Sequence, residues 1–130
     1  MQLFLYHMTS IGVDILRTAR IGHILAGKTR ERFVRKILHP SEITRMTKYP
    51  DHVQFVASTF STKEALFKTL DRQDQKLFEF KEWCRGVDEV TGRRLISNPG
   101  YRLMDHEEFV VSVSHDGDYT IANVLRKKKE

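Results

Sequence analysis

The chain has 130 residues, 40% hydrophobic and 30% charged, with a formal charge of +5. That composition excludes a disordered chain, and the length leaves no room for two cores. No apolar run approaches the roughly 20 residues of a membrane-spanning helix, and a lone cysteine, Cys84, excludes an intrachain disulfide. With an N-terminus that lacks a basic leader and a cleavage site, a reducing intracellular compartment is expected.

The positive charge is uneven. Between Arg17 and Lys48 there are nine Lys or Arg residues against Glu31 and Glu42, and Arg126 to Lys129 form a second basic run. A one-sided basic face implies an anionic partner, or else a solvated helix surface and a frayed tail.

In chain order, Ile11-Gly12-Val13-Asp14-Ile15 alternates with period two, which predicts a short strand carrying an acid near its end. Thr18 is placed to cap a helix ending at Gly27, and Thr29 a second one through Leu38. Pro40 breaks that pattern, and Ser41 starts a third helix to about Lys48. A long helix is predicted from about His52 to Leu70, with Val53, Ala57, Phe60, Glu64 and Phe67 along one stripe. The period then changes. Leu77 to Trp83 reads as a strand, and Val87 to Ile96 as one or two short strands around Thr91-Gly92. Tyr101 to Glu108 is ambiguous. Phe109 to His115 and Tyr119 to Leu125 flank an Asp116-Gly117 hairpin turn. The expected class is α+β: a mainly antiparallel sheet packed on one long helix. The chain reads as one domain over 1–130, with 1–9 as an extension and 126–130 as a basic tail.

The residues that stand out chemically are Asp14 and Glu64. A carboxylate on an apolar stripe is costly unless a cation compensates it. Two carboxylates from separate elements can share Mg²⁺, which takes one or two of them and fills its octahedron with water and phosphate oxygens. Lys68, one turn beyond Glu64, can face the same phosphate. The alternative stays open that Glu64 and Lys68 are an ordinary i,i+4 surface pair and Asp14 a helix cap. There is no phosphate-binding Gly-rich loop, zinc spacing or nucleophile elbow. Cys84 reads as a small structural hydrophobe.

Together, Ile11-Gly12-Val13-Asp14-Ile15 and Phe60-Ser61-Thr62-Lys63-Glu64-Ala65-Leu66-Phe67-Lys68 resemble the paired signature of the 4′-phosphopantetheinyl transferases, of the short holo-acyl-carrier-protein synthase type. Ala19-Arg20-Ile21, the segment Phe33 to Leu38 with Ser41-Glu42, and Ser112 to Asp116 with Tyr119 and Ala122 are similar to further family motifs in the same order. The resemblance implies transfer of the 4′-phosphopantetheine arm of coenzyme A to a serine of an acyl carrier protein. Asp14 and Glu64 then match the Mg²⁺ ligands, with Glu64 also the candidate base, and Lys68 matches the lysine at the diphosphate. Lys63, Arg72, Ser114 and His115 are the further cofactor-binding candidates. Arg20, with Arg30, Arg32 and Arg35, is expected to dock the acidic carrier. Leu16, where longer members carry a third acid, matches the short type, which is usually a homotrimer with sites between subunits.

The sequence departs from the family's pattern at Thr69-Leu70-Asp71-Arg72-Gln73, where Gly-Thr-Gly is usual, at Gly92-Arg93-Arg94, where Gly-Lys-Pro is usual, and in a shortened segment from Asn98 to Glu108. A member that binds carriers without transferring is therefore one rival reading. A nucleic-acid-binding module is another, but residues 17–48 hold only one aromatic, Phe33. Neither a nucleic acid nor a membrane is an expected partner. The Ser-His-Asp-Gly-Asp hairpin and Phe67 are similar to fungal members, which implies a mitochondrial enzyme; a bacterial, cytoplasmic source is the other expectation.

Overall fold

The structure is a computed structural model that describes residues 8–129. The expected extension therefore lies, except for its last two residues, outside the described part. The elements are β1 (Met8–Arg17), α1 (Thr18–Ala26), α2 (Arg30–Ile37), α3 (Pro40–Lys48), α4 (His52–Thr69), α5 (Arg72–Lys76), a 3₁₀ turn (Phe80–Glu82), β2 (Cys84–Val87), β3 (Arg94–Ser97), β4 (Glu107–Asp116) and β5 (Tyr119–Lys128). All strand pairs are antiparallel, in the order β1-β5-β4-β3-β2. Among the described residues no helix is long and apolar enough to cross a membrane.

The long helix α4 lies against one face of the sheet and against α1 and α3. Its two halves serve two cores. Phe55, Val56 and Ala57 pack with Ile21, Leu25, Val34 and Ile37 of α1 and α2. Ala65 and Leu66 pack with Phe109, Val111, Ala122 and Val124 of the sheet. Full burial of a side chain such as Leu66 contributes about 1.5–3 kcal/mol. Asp51 caps the helix, accepting the Gln54 N–H at 3.0 Å. The predicted stripe is not the deepest face: Val53, Phe60, Glu64 and Phe67 are half-buried, while Val56, Thr59, Thr62, Lys63 and Leu66 are wholly buried.

β1 is an edge strand, and its apolar residues point away from the long helix. Gly12, Asp14 and Leu16 face α4, whereas Ile11, Val13 and Ile15 are 61, 48 and 59% exposed on the other face. That outer face continues through Ile121 and Leu125 of β5 and Val110 of β4, which are paired with them in register.

Four expectations are corrected. Residues 77–83 form no strand. Their alternation is real in burial, with Phe78 and Phe80 turned inward and Leu77 and Glu79 outward. It comes from the rings of Phe78 and Phe80 packing on Phe67 and Phe60 of α4, at centroid distances of 5.3 and 5.7 Å, with no neighbouring strand. The short strands expected over 87–96 lie at Cys84–Val87 and Arg94–Ser97, as a hairpin around Gly92 at φ 75°. Arg126 is no tail residue: it is 5% exposed, in β5, and held by Glu107 and Asp71. The caps also move. The Thr18 hydroxyl bonds that of Thr120 at 2.7 Å and leaves α1 without a side-chain cap. Thr29 precedes α2 but forms no capping bond, and α3 starts at Pro40, one residue before Ser41, with His39 as its cap.

Two wholly buried charges, Lys63 and Glu42, join α4 to the helices packed on it. The Lys63 ammonium donates to Glu42 Oε1 at 2.7 Å and to the Ile37 carbonyl at 2.8 Å. Glu42 also accepts the N–H groups of His39 at 2.9 Å and Arg85 at 2.8 Å. Burial pushes the ammonium below the ordinary lysine range, and Glu42 opposes that shift. Removing one partner strands the other charge in a dry core. Lys63→Met should therefore cost about 3–5 kcal/mol in urea unfolding, and Lys63→Met/Glu42→Gln less than the single change.

Candidate active site

The site is built where β1 runs closest to α4. A Cβ added to Gly12 would collide with the Ala65 carbonyl oxygen and crowd the Thr69 methyl. The glycine is therefore required for close approach, and it lets the strand carry Asp14 up to the helix. The Asp14 side chain is 16% exposed, and its Oδ2 accepts a hydrogen bond from Ser61 Oγ at 3.0 Å. Lys68, in the last turn of α4, donates to the Val13 carbonyl at 2.7 Å, and its ammonium stands 3.5 Å from Asp14 Oδ1.

Glu64 completes the cluster. Its carboxyl is held above the ordinary glutamate range, first by burial and next by the negative charge of Asp14; Lys68 and Arg20 pull it back. The structure thus brings Asp14, Glu64, Lys68 and Arg20 to one place. Lys68 pairs with Asp14 and the backbone of β1, so the surface-pair alternative for Glu64 and Lys68 does not describe it. The donors at this point are hard carboxylate oxygens. Among the described residues no group of three or more His, Cys, Asp or Glu side chains stands together. Two partly exposed carboxylates suit a cation that takes the rest of its shell from water and phosphate.

The other candidates separate. Lys63 is corrected: its ammonium is wholly buried on Glu42 and cannot reach a cofactor, because one residue along a helix is a 100° turn away from Glu64. Arg72 opens α5 and is exposed. Ser114 and His115 lie near the end of β4, Ser114 on the outer face and His115 on the face shared with Thr120. His115 lines a cavity of about 500 Å³ with Gln54 and Ser58 of α4 and with Arg85, Arg93 and Arg94. This cavity draws on the first half of α4 and the Asp14 cluster on the second. Ser58 lies about 9 Å before Glu64 along the axis, at about 1.5 Å per residue.

The basic helices also divide. Arg20 is exposed beside Glu64, its guanidinium 6.0 Å from the Phe60 ring centre. Arg30 donates to the Leu25 carbonyl at 3.1 Å and so ties α2 to the end of α1. Arg32 is exposed. Arg35 makes only a loose pair with Glu31, at 3.9 Å. Ser61 and Arg85 were missed by sequence reasoning. Ser61 had a faint signal, one turn before Glu64. Arg85 had none, because only the hairpin β2–β3 carries it to the cavity.

Two predictions follow from this geometry. Gly12→Ala should cost about 1–3 kcal/mol in urea unfolding, since either the strand or the helix must shift. Glu64 fixes the sign of a pH effect. With its folded pKa above the unfolded value, the native state holds a proton that the unfolded chain releases. Stability is then lost as pH rises through the interval between the two. In cation-free buffer Glu64→Gln should melt a few degrees above the parent at pH 7 and with it at pH 4. A variant that melts lower at pH 7 would contradict the burial of this charge.

Comparison with known proteins identifies the family. The family model of the 4′-phosphopantetheinyl transferase superfamily matches residues 10–124. A holo-[acyl-carrier-protein] synthase of Leptospira biflexa is 32% identical over 122 residues, covering 91% of this chain and 95% of its own. One from Mycoplasma mobile is 29% identical over 125 residues, covering 96% and 95%. The solved holo-[acyl-carrier-protein] synthase of Helicobacter pylori, in complex with coenzyme A, is 25% identical with a TM-score of 0.71, covering 90% of this chain and 99% of its own. These relatives are bacterial and lend no support to the mitochondrial expectation. With the signature residues gathered at one point and the family model spanning nearly the whole fold, the chain belongs to the 4′-phosphopantetheinyl transferase superfamily.

Proposed function

We propose that the chain is a holo-acyl-carrier-protein synthase, which moves the 4′-phosphopantetheine arm of coenzyme A to a serine of an apo acyl carrier protein and releases 3′,5′-ADP. The observation that carries this reading is the convergence of Asp14, Glu64 and Lys68 in a chain whose relatives bear that name. Coenzyme A is the co-substrate, and the Helicobacter pylori relative holds it in its solved structure.

Asp14 and Glu64 would hold Mg²⁺, which when bound offsets the diphosphate charge and supports the departure of 3′,5′-ADP. Lys68 adds a second positive charge at the diphosphate. Ser61 orients Asp14 through its hydroxyl. Glu64 accepts the proton of the carrier serine as its oxygen attacks the β-phosphorus. Arg20, beside Glu64, is the foremost contact for the acidic carrier, followed by Arg32 and Arg35. Arg30, tied to α1, contributes less directly.

The cavity at His115 is our candidate for the nucleotide phosphates, its three arginines supplying the charge; Ser114, next to His115 in β4, and Arg72, beyond the end of α4, are candidates outside its lining. Because it and the Asp14 cluster are separate within one chain, we read the complete site as formed between copies in a homotrimer. The exposed Ile11, Val13 and Ile15 support this, since an apolar sheet face of that kind is a natural subunit contact.

The test is incubation with coenzyme A, Mg²⁺ and apo carrier protein, followed by mass spectrometry of the carrier. A gain of one phosphopantetheine, abolished by EDTA and reduced at least 100-fold by Glu64→Gln, is expected. Arg20→Glu should raise KM for the carrier and leave that for coenzyme A within twofold. No gain with any of several carriers would overturn the reading in favour of a chain that binds carriers without transfer.

A further inference from the structure

The turn after α4 is built without glycine; none occurs between Gly27 and Gly86. Side chains close it instead. The Thr69 carbonyl, next to Lys68, accepts Ser10 Oγ at 2.7 Å and Arg126 Nη1 at 3.1 Å. The Phe67 carbonyl, on the other side of Lys68, accepts Gln75 Nε2 at 3.0 Å. The last turn of the helix is therefore tied on both sides of the residue that faces the diphosphate.

Arg126 is the centre of these ties. Its Nε and Nη2 grip the two oxygens of Glu107 at 2.9 and 3.0 Å, and its Nη1 reaches Asp71 at 3.0 Å as well as Thr69. Glu107 is braced by the Tyr101 hydroxyl at 2.6 Å. Asp71 also accepts Arg102 at 3.2 Å, and Arg102 grips Asp74 at 2.9 and 3.0 Å. Burial alone would weaken the charge on Arg126; Glu107 and Asp71 hold it firmly on. A fork of this kind has one geometry, unlike a lysine. The guanidinium is thus a fixed cation at a helix C-terminus, where the backbone dipole favours it.

We propose that Arg126, acting through Asp71 and the Thr69 carbonyl, is a positioning residue for Lys68, and that this buried clasp sets the affinity for coenzyme A. The proposal rests on the functional reading above. Loss of the clasp frees the last turn of α4, so Lys68 leaves the Val13 carbonyl and no longer meets the diphosphate in register. The docking face at Arg20 lies on another element and is untouched.

Asp71→Asn is the cleanest variant. The Asp71 side chain is 54% exposed, and its change leaves Arg126 paired with Glu107 in the core. Arg126→Lys keeps the charge and loses the fork. The measurements are melting temperature, calorimetric binding of coenzyme A with Mg²⁺, and both KM values. Asp71→Asn should melt within about 3 °C of the parent, weaken coenzyme A three- to tenfold in Kd and KM, and leave KM for the carrier within twofold. Arg126→Lys should show the same split, larger. Coenzyme A binding within twofold of the parent in both variants, or equal rises in the two KM values, would reduce the clasp to a structural brace and overturn the proposal. If one variant does not fold, the other decides by the same criteria. A parent that neither binds coenzyme A nor transfers from it would overturn the functional reading itself, and the proposal with it.

Discussion

The contact on which the rest depends is the one between Gly12 and the Ala65 carbonyl. A strand and a helix normally keep a side chain between their backbones. Here that layer is missing at one residue, and the missing Cβ is what allows the approach. Every distance in the site follows from it: Ser61 to Asp14, Lys68 to the Val13 carbonyl and to Asp14, and the electrostatic reach from Asp14 to Glu64. The two carboxylates repel each other, and the packed backbone, the Ser61 hydroxyl and the charges of Lys68 and Arg20 offset that repulsion.

That backbone is held from two directions. On the side of the small helices, Lys63 and Glu42 lock α4 to α2 and α3. At the far end, Arg126 locks its last turn to β4 and β5. Buried ion pairs of this kind add little net stability relative to apolar packing, but they tolerate only one geometry and are severe when half removed. The two joints stand before Glu64 and after Lys68 in the chain and fix the helix between them.

The surface complements this interior. Arg20 stands near the Asp14 cluster, the arginine-lined cavity at His115 stands apart from it, and Ile11, Val13 and Ile15 of β1 are exposed on the outer sheet face. One chain therefore presents two separate polar regions and an apolar sheet face, the combination behind the proposed assembly with copies of itself.

Much of this was legible in the residues. Period-two alternation marked β1, β4 and β5, period-3.6 patterning marked α4, and Asp116-Gly117 marked the hairpin, because these signals are local. Asp14, Glu64 and Lys68 were identifiable because two signatures, each weak alone, occur together. Other features depended on partners distant in sequence. Ile11, Val13 and Ile15 were apolar in the sequence, but only the sheet order turned them outward. Lys63 stood beside Glu64 in the chain, yet Glu42, 21 residues earlier, drew it into the core. Arg126 looked like part of a solvated basic run until Glu107 and Asp71 met it across the sheet. The sequence by itself determined most of the elements and singled out the residues proposed to carry the chemistry. The tertiary structure alone decided which charges are spent on structure and which are left for a ligand, because a side chain's burial and its counter-charge are properties of the packed neighbourhood, not of the local segment.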